Sequence, residues 1–207
     1  MYIRDVFAEK NPEKLRQCMQ ANPLAMLVVN GDPYPQVFHL PLLVSGSGEQ
    51  MQLRGHIARA NPLSQLHGVS MLAVFNGPDA YISPAFYASK QLDPKVVPTW
   101  NYVTVQVQGR LVLHEEPEWK LSLLTELTQQ HEQHRQDPWQ VTDAPSDYIE
   151  KLSRAIVGVE IEIEHIQGKW KVSQNQPELN RRSVMHHLQE SGEPKSQCLA
   201  EKYTVTN

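Results

Sequence analysis

Apolar residues recur at every second position over several long stretches of the chain, the signature of strands with one buried face. The clearest is "TWNYVTVQVQGRLVLH" (99–114), where Val103, Val105 and Val107 alternate with Thr104, Gln106 and Gln108. Gly109 permits a bend or bulge midway, a device common in small, strongly curved barrels. In "VGVEIEIEHIQG" (157–168), Val159, Ile161 and Ile163 point inward and Glu160, Glu162 and Glu164 outward. Another strand follows the flexible turn "SGSGEQ", with Met51, Leu53 and Ile57 on one face and Gln52, Arg54 and His56 on the other. "LAMLVVN" (24–30) reads as a buried strand, and "VSMLAVFN" (69–76) as one covered on both faces. "GDPYP" turns the former into "QVFHLPLLV" (36–44), a hairpin whose Pro41 marks an edge or a bulge. "GPD" turns the latter into "AYISPAFY", and "ASKQLDPKVVP" is a loop.

Helical spacing is confined to shorter windows. Asn11 caps and Pro12 opens "EKLRQCMQ", which ends at Asn22-Pro23. A short helix covers 62–67, and "PEW" starts a longer one carrying leucines at 121, 124 and 127. "SDYIEKLSRAI" is a further helix, and a polar one lies near 178–190. Strands joined mostly by short turns predict an α+β chain dominated by antiparallel β, closed into a barrel with helices packed outside. Residues 1–190 are expected to form one domain, and 191–207 a polar, mobile tail.

The chain has 207 residues, 40% of them hydrophobic, and no apolar run long enough to cross a membrane as a helix. The start lacks the apolar core of a signal peptide, and Cys18 and Cys198 form no CxxC pair, so a reduced, cytoplasmic protein is expected. A net charge of −4 argues against a protein that coats nucleic acid by charge alone.

The histidines do not form a metal motif: "HEQH" (131–134) is not HExxH, and His186 and His187 point apart on a helix. No phosphate-binding loop, dinucleotide fingerprint or nucleophile elbow is present, and no catalytic residue stands out. More informative is "LRGHIARANPLSQL" (53–66), which sets His56, Arg59 and Asn61 where a strand hands over to a helix. Two readings stay open there: an anion held by an Arg and a helix N-terminus, or a capped turn with a solvated Arg. "YISPAFYASK", "PTWNY" and "GKWKVSQN" gather aromatics, amides and lysines. Core filling, turn formation and solvation account for each singly, while together they suit a planar ligand with an anionic tail. FMN meets that description without being singled out by it.

"RGHIARANP", "FNGPDAYISPAFYASK", "VPTWNY" and "KVSQNQP", in that order, resemble the PaiB family of FMN-binding transcriptional regulators, over almost the whole chain to about residue 190. The resemblance implies an FMN-binding split barrel with flanking helices, and a homodimer with flavin sites at the subunit interface. It places Gly55, His56, Arg59 and Asn61 at the phosphate, although "ARAN" holds one basic residue where related oxidases carry adjacent ones. His39 falls on the strand along the ring edge, Trp100 and Asn101 start a central strand, Ser89 and Lys90 lie in the matched loop, and Lys171, Gln174 and Asn175 close the pocket. It implies an FMN-dependent oxidoreductase or a flavin-responsive negative regulator. Alternatives from other classes are a DNA-binding repressor acting without flavin and a haem-binding split barrel. The best basic stretch for DNA, "NRRSVMHH" (180–187), is short, and no basic recognition helix is evident.

Overall fold

A computed structural model describes residues 1–203, in which eight strands form an antiparallel sheet. In chain order they are β1 (Ala8–Glu9), β2 (Leu24–Val29), β3 (Gln36–Pro41), β4 (Leu43–Ser45), β5 (Gln52–Ala58), β6 (Ser70–Ile82), β7 (Thr99–His114) and β8 (Ile156–Lys171). The path runs β3-β2-β6-β7-β8-β5-β4, with β1 paired to β8 beside it. Its two ends, β3 and β4, are consecutive in the chain, so one stretch of sequence is divided between the two edges of the sheet.

Pro41 is the cause. Lacking an N–H, it ends the ladder with β2, and the Leu42 N–H turns instead to the Pro23 carbonyl at 2.9 Å. The single strand expected over 36–44 is therefore two, β3 pairing with β2 and β4 with β5. A second difference lies at "GPD": residues 77–79 do not reverse the chain but continue β6. There the sheet overrides local turn preference, with Gly77 lying close against Val103 of β7. Gly109 is needed for close approach: a Cβ there would lie 2.2 Å from the Glu162 carbonyl oxygen of β8.

Five α-helices accompany the sheet among the described residues: α1 (Pro12–Ala21), α2 (Pro117–Glu132), α3 (Ser146–Arg154), α4 (Glu178–Glu190) and α5 (Pro194–Ala200). Asn11 caps α1 by accepting from the Glu13 N–H at 2.9 Å. On α2 the buried row is Lys120, Leu123 and Leu127, whereas Leu121 is exposed, so the inward stripe differs from the expected leucine series. The helix expected over 62–67 is a single 3₁₀ turn, Pro62–Gln65. The polar tail expected from 191 contains α5, with Leu199 and Ala200 fully buried and Tyr203 nearly so. Polar composition hid an apolar pair four residues apart, Leu199 and Tyr203. The rest of that segment, 204–207, lies outside the described residues.

Two compact units partition the chain. The first comprises Met1–Cys18, Asn76–Gln106 and the segment from Gln167 onward; the second comprises Met19–Phe75 and Val107–Ile166. The second holds β2 to β5, α2 and α3, with Leu27, Leu53, Phe75, Leu111, Leu123 and Ile161 fully buried. The first holds α4, α5 and the ends of β6, β7 and β8, with Ile82, Val103, Val184 and Leu199 buried.

Candidate functional site

The second unit contains the His–Arg–Asn junction. Asn61 caps the 3₁₀ turn, its side chain accepting from the Leu63 N–H at 2.9 Å. Arg59 makes a two-pronged ion pair with Glu115, at 2.7 and 2.6 Å, and donates to the carbonyls of Arg154, the last residue of α3, and of Ile156 just past it. Lys120, nearly fully buried, donates to the Ser153 carbonyl at 2.9 Å. Two cations thus converge on the carbonyl end of α3, where the helix dipole favours positive charge. Gly55 faces the core, where a Cβ would meet the Pro41 carbonyl oxygen at 2.9 Å. His56 is half-buried; its Nδ1 has no hydrogen-bond partner among the described residues, and burial pushes its pKa down. His39 is exposed on β3. These residues have separate structural partners: Gly55 packs, Asn61 caps, and Arg59 anchors a helix end.

The first unit gathers the others more closely. Along β7, Trp100 and Tyr102 share a face, and Asn101 points to the opposite one. Trp100 is 56% exposed and Tyr81 of β6 49%, and their rings meet edge to face with centroids 6.0 Å apart. The strand β8 continues through "KWK", expected to lie past its end, so Lys169 and Lys171 also share a face. The Lys171 ammonium donates to Thr99 Oγ1 at 2.5 Å and to the Trp100 carbonyl at 2.7 Å. That of Lys169 lies 5.1 Å from the Tyr102 ring centroid and donates to the Tyr2 carbonyl. Among the described residues neither lysine is paired with a carboxylate. Burial pushes the Lys171 pKa down, Tyr102 opposes the shift, and the neighbouring Lys169 adds to it.

Three expected site residues of this unit have other partners. Asn101 is 1% exposed and donates to Ser173 Oγ at 2.8 Å and to Tyr203 Oη at 2.6 Å. Ser89 is clasped by Asn180 of α4, which accepts from its N–H and donates to its hydroxyl. Gln174 folds back on the backbone of Val172 and Trp170. Lys90 and Asn175 are exposed. Lys169 gains its place because the strand is longer than expected, and Tyr203 was hidden in the presumed tail.

Two ammonium groups without carboxylates, beside an open indole and phenol, suit a ligand that is both aromatic and anionic. The isoalloxazine and phosphate of FMN fit that donor set: rings for the ring, ammonium groups for the phosphate.

Residues 1–165 match the family model FMN_bind_2, described as "Putative FMN-binding domain". The chain is 31% identical over 203 residues to the protease synthase and sporulation protein PAI 2 of Bacillus subtilis, spanning 97% of this chain and 95% of that protein. It is 33% identical to an uncharacterised protein of Emericella nidulans, over 97% of this chain and 95% of that one. Among solved structures, the FAD and heme binding protein of Mycobacterium smegmatis superposes with a TM-score of 0.60 at 17% identity, covering 79% of this chain and 73% of that one. The flavocytochrome Anf3 of Azotobacter vinelandii gives 0.58 at 15% identity, covering 82% and 72%. At such identities the superpositions speak for the fold.

Proposed function

The chain belongs to the FMN-binding domain family that matches it, as a split-barrel relative of the PAI 2 protein, and from that premise we propose that it holds FMN on the Tyr81–Trp100–Lys171 face for redox use. The observation that carries this reading is the pair of carboxylate-free lysines next to an exposed Trp–Tyr pair. Trp100 and Tyr81 would pack on the ring system, and Lys169 and Lys171 would take the phosphate. When bound, FMN supplies hydride or electron transfer. The protein's part is to bind and to orient: the acceptors Thr99 Oγ1 and the Trp100 carbonyl hold Lys171 against the start of β7.

Titration of FMN, followed by flavin fluorescence, tests the reading. Saturable binding at one FMN per chain is expected, with Lys171→Met and Trp100→Ala each lowering affinity by about tenfold, roughly the loss of one charge-assisted or stacking contact. No saturation at high micromolar FMN refutes the proposal. Binding that ignores both substitutions moves the site elsewhere.

A second reading, a flavin-responsive negative regulator, is favoured by the name of the Bacillus subtilis relative. With a net charge of −4, a small molecule or protein partner suits it better than direct contact with DNA. Transcript profiles of a deletion strain, complemented by wild type but not by the Trp100→Ala, Lys171→Met double variant, would support it; equal complementation would refute it. The chain is also expected to dimerise, burying apolar side chains such as Leu92 and Val97, 86% and 74% exposed in the single chain. A monomeric mass by sedimentation would refute that.

A further inference from the structure

Behind the aromatic and basic face lies a buried polar hub. Asn101 sits between Trp100 and Tyr102 in sequence but faces the other way, and its amide gives one N–H to Ser173 and one to Tyr203. The Tyr203 hydroxyl is also hydrogen-bonded to Ser173, which closes a three-membered ring of side chains. Burial raises the pKa of the phenol, so it keeps its proton and remains a donor at neutral pH.

Ser173 is unusual in its backbone. Its φ is +62°, the left-handed region that residues with a Cβ seldom enter, and it is 3% exposed. A conformation of this kind persists where neighbouring contacts hold it: here the Ser173 carbonyl accepts from the Gln176 N–H at 2.9 Å, and its hydroxyl meets Asn101 and Tyr203. Ser173 follows Lys171 by two residues, and Lys171 in turn is bonded to Thr99 and to the carbonyl of Trp100. The hub therefore ties together the two short segments, 99–102 and 169–173, that present the open aromatic and basic side chains. Tyr203 reaches it from the far end of the chain, carried by α5, whose Leu199 and Ala200 are buried.

We propose that Tyr203 is a positioning residue: its hydroxyl latches the turn at Ser173 and thereby sets the Lys171 ammonium against the Trp100 segment for an aromatic anion. The identity of that anion rests on the FMN reading; the latch itself does not.

The test uses the full chain with Tyr203→Phe, which removes the hydroxyl and keeps the ring. Without flavin, acetylation of Lys171 by an amine-reactive acetyl ester is timed by peptide mass spectrometry, with the exposed Lys151 as internal standard. FMN affinity is then measured in the wild-type and Lys171→Met backgrounds. A latch predicts about fivefold faster labelling of Lys171, and about fivefold weaker FMN binding in the wild-type background, the scale of one buried hydrogen bond. In the Lys171→Met background the Tyr203 substitution should have no further effect, because the group it positions is gone. Unchanged labelling overturns the latch. Faster labelling with unchanged FMN affinity, or an equal loss of affinity in both backgrounds, overturns its role toward the ligand. Faster labelling in a chain whose wild type binds no FMN leaves the latch standing and defeats the FMN reading. Should Tyr203→Phe fail to fold, Ser173→Ala takes its place with the same readouts and the same outcomes.

Discussion

Asn101 offers the sharpest quantitative test of how the first unit is held together. Replacing it with alanine removes two hydrogen bonds, at 2.8 and 2.6 Å, from a position 1% exposed to solvent. Each bond between neutral groups contributes about 1 kcal/mol net. Water cannot readily replace the lost amide, so the deserted hydroxyls add a desolvation penalty. That penalty is limited, because Ser173 and Tyr203 keep their bond to each other; an additional amount of about 1 kcal/mol at most is reasonable. The expected loss is therefore about 2–3 kcal/mol, which for a chain of this size lowers the melting temperature by about 5–10 °C. Urea unfolding of the flavin-free protein measures it, with the midpoint falling and the slope unchanged. A double-mutant cycle with Tyr203→Phe should return a coupling of about 1 kcal/mol, since one substitution removes the bond that the other deletes. A loss below about 0.5 kcal/mol, the level of an ordinary surface change, would refute the hub. So would a cycle in which the two effects simply add.

Arg59→Ala is expected to leave FMN affinity unchanged, because its guanidinium is already held by Glu115 and two main-chain carbonyls; a tenfold loss in the same titration would place the phosphate at that junction. Alkaline stability should depend on Cys18, whose thiol burial pushes up to about 11 from 9.0. In the unfolded chain the thiol ionises first, so the unfolded state binds fewer protons above pH 9.0 and stability falls as pH rises toward about 11. The loss reaches about 2 kcal/mol, and Cys18→Ala should flatten the unfolding free energy over that window; an unchanged slope would refute the assignment.

Strand-forming stretches were legible because one-faced burial leaves a period of two, and β5, β7 and β8 carry it plainly. Less legible was what each strand pairs with. Pro41 announces a defect, yet nothing local says that β3 and β4 go to different partners across it. The three residues "GPD" have turn chemistry, and only the neighbouring strand β7 explains why they stay extended. On α2, leucines at 121, 124 and 127 advertise one face, but a buried lysine at 120 marks the true one. Helical spacing cannot foresee that, since the lysine is inside only to serve the carbonyl end of α3.

Linear motifs mislead for the same reason. "TWNY" puts Trp100 and Asn101 side by side in sequence, while the strand sends them to opposite faces, one open and one sealed. "RGHIARAN" left two readings open, an anion held by Arg59 and a helix N-terminus or a capped turn with a solvated Arg. Whether a cation is free to bind an anion depends on its other neighbours, and those of Arg59 come from 56 residues away at Glu115 and further still at Arg154 and Ile156. The lysines of "KWK" show the converse. Two residues apart in a strand, they repel each other on one face with no carboxylate paired to them among the described residues, and a phosphate suits such uncompensated charge. His56, Arg59 and Asn61 gather where a core strand and a capped turn meet the end of α3, whereas the proposed anion site rests on Lys169 and Lys171.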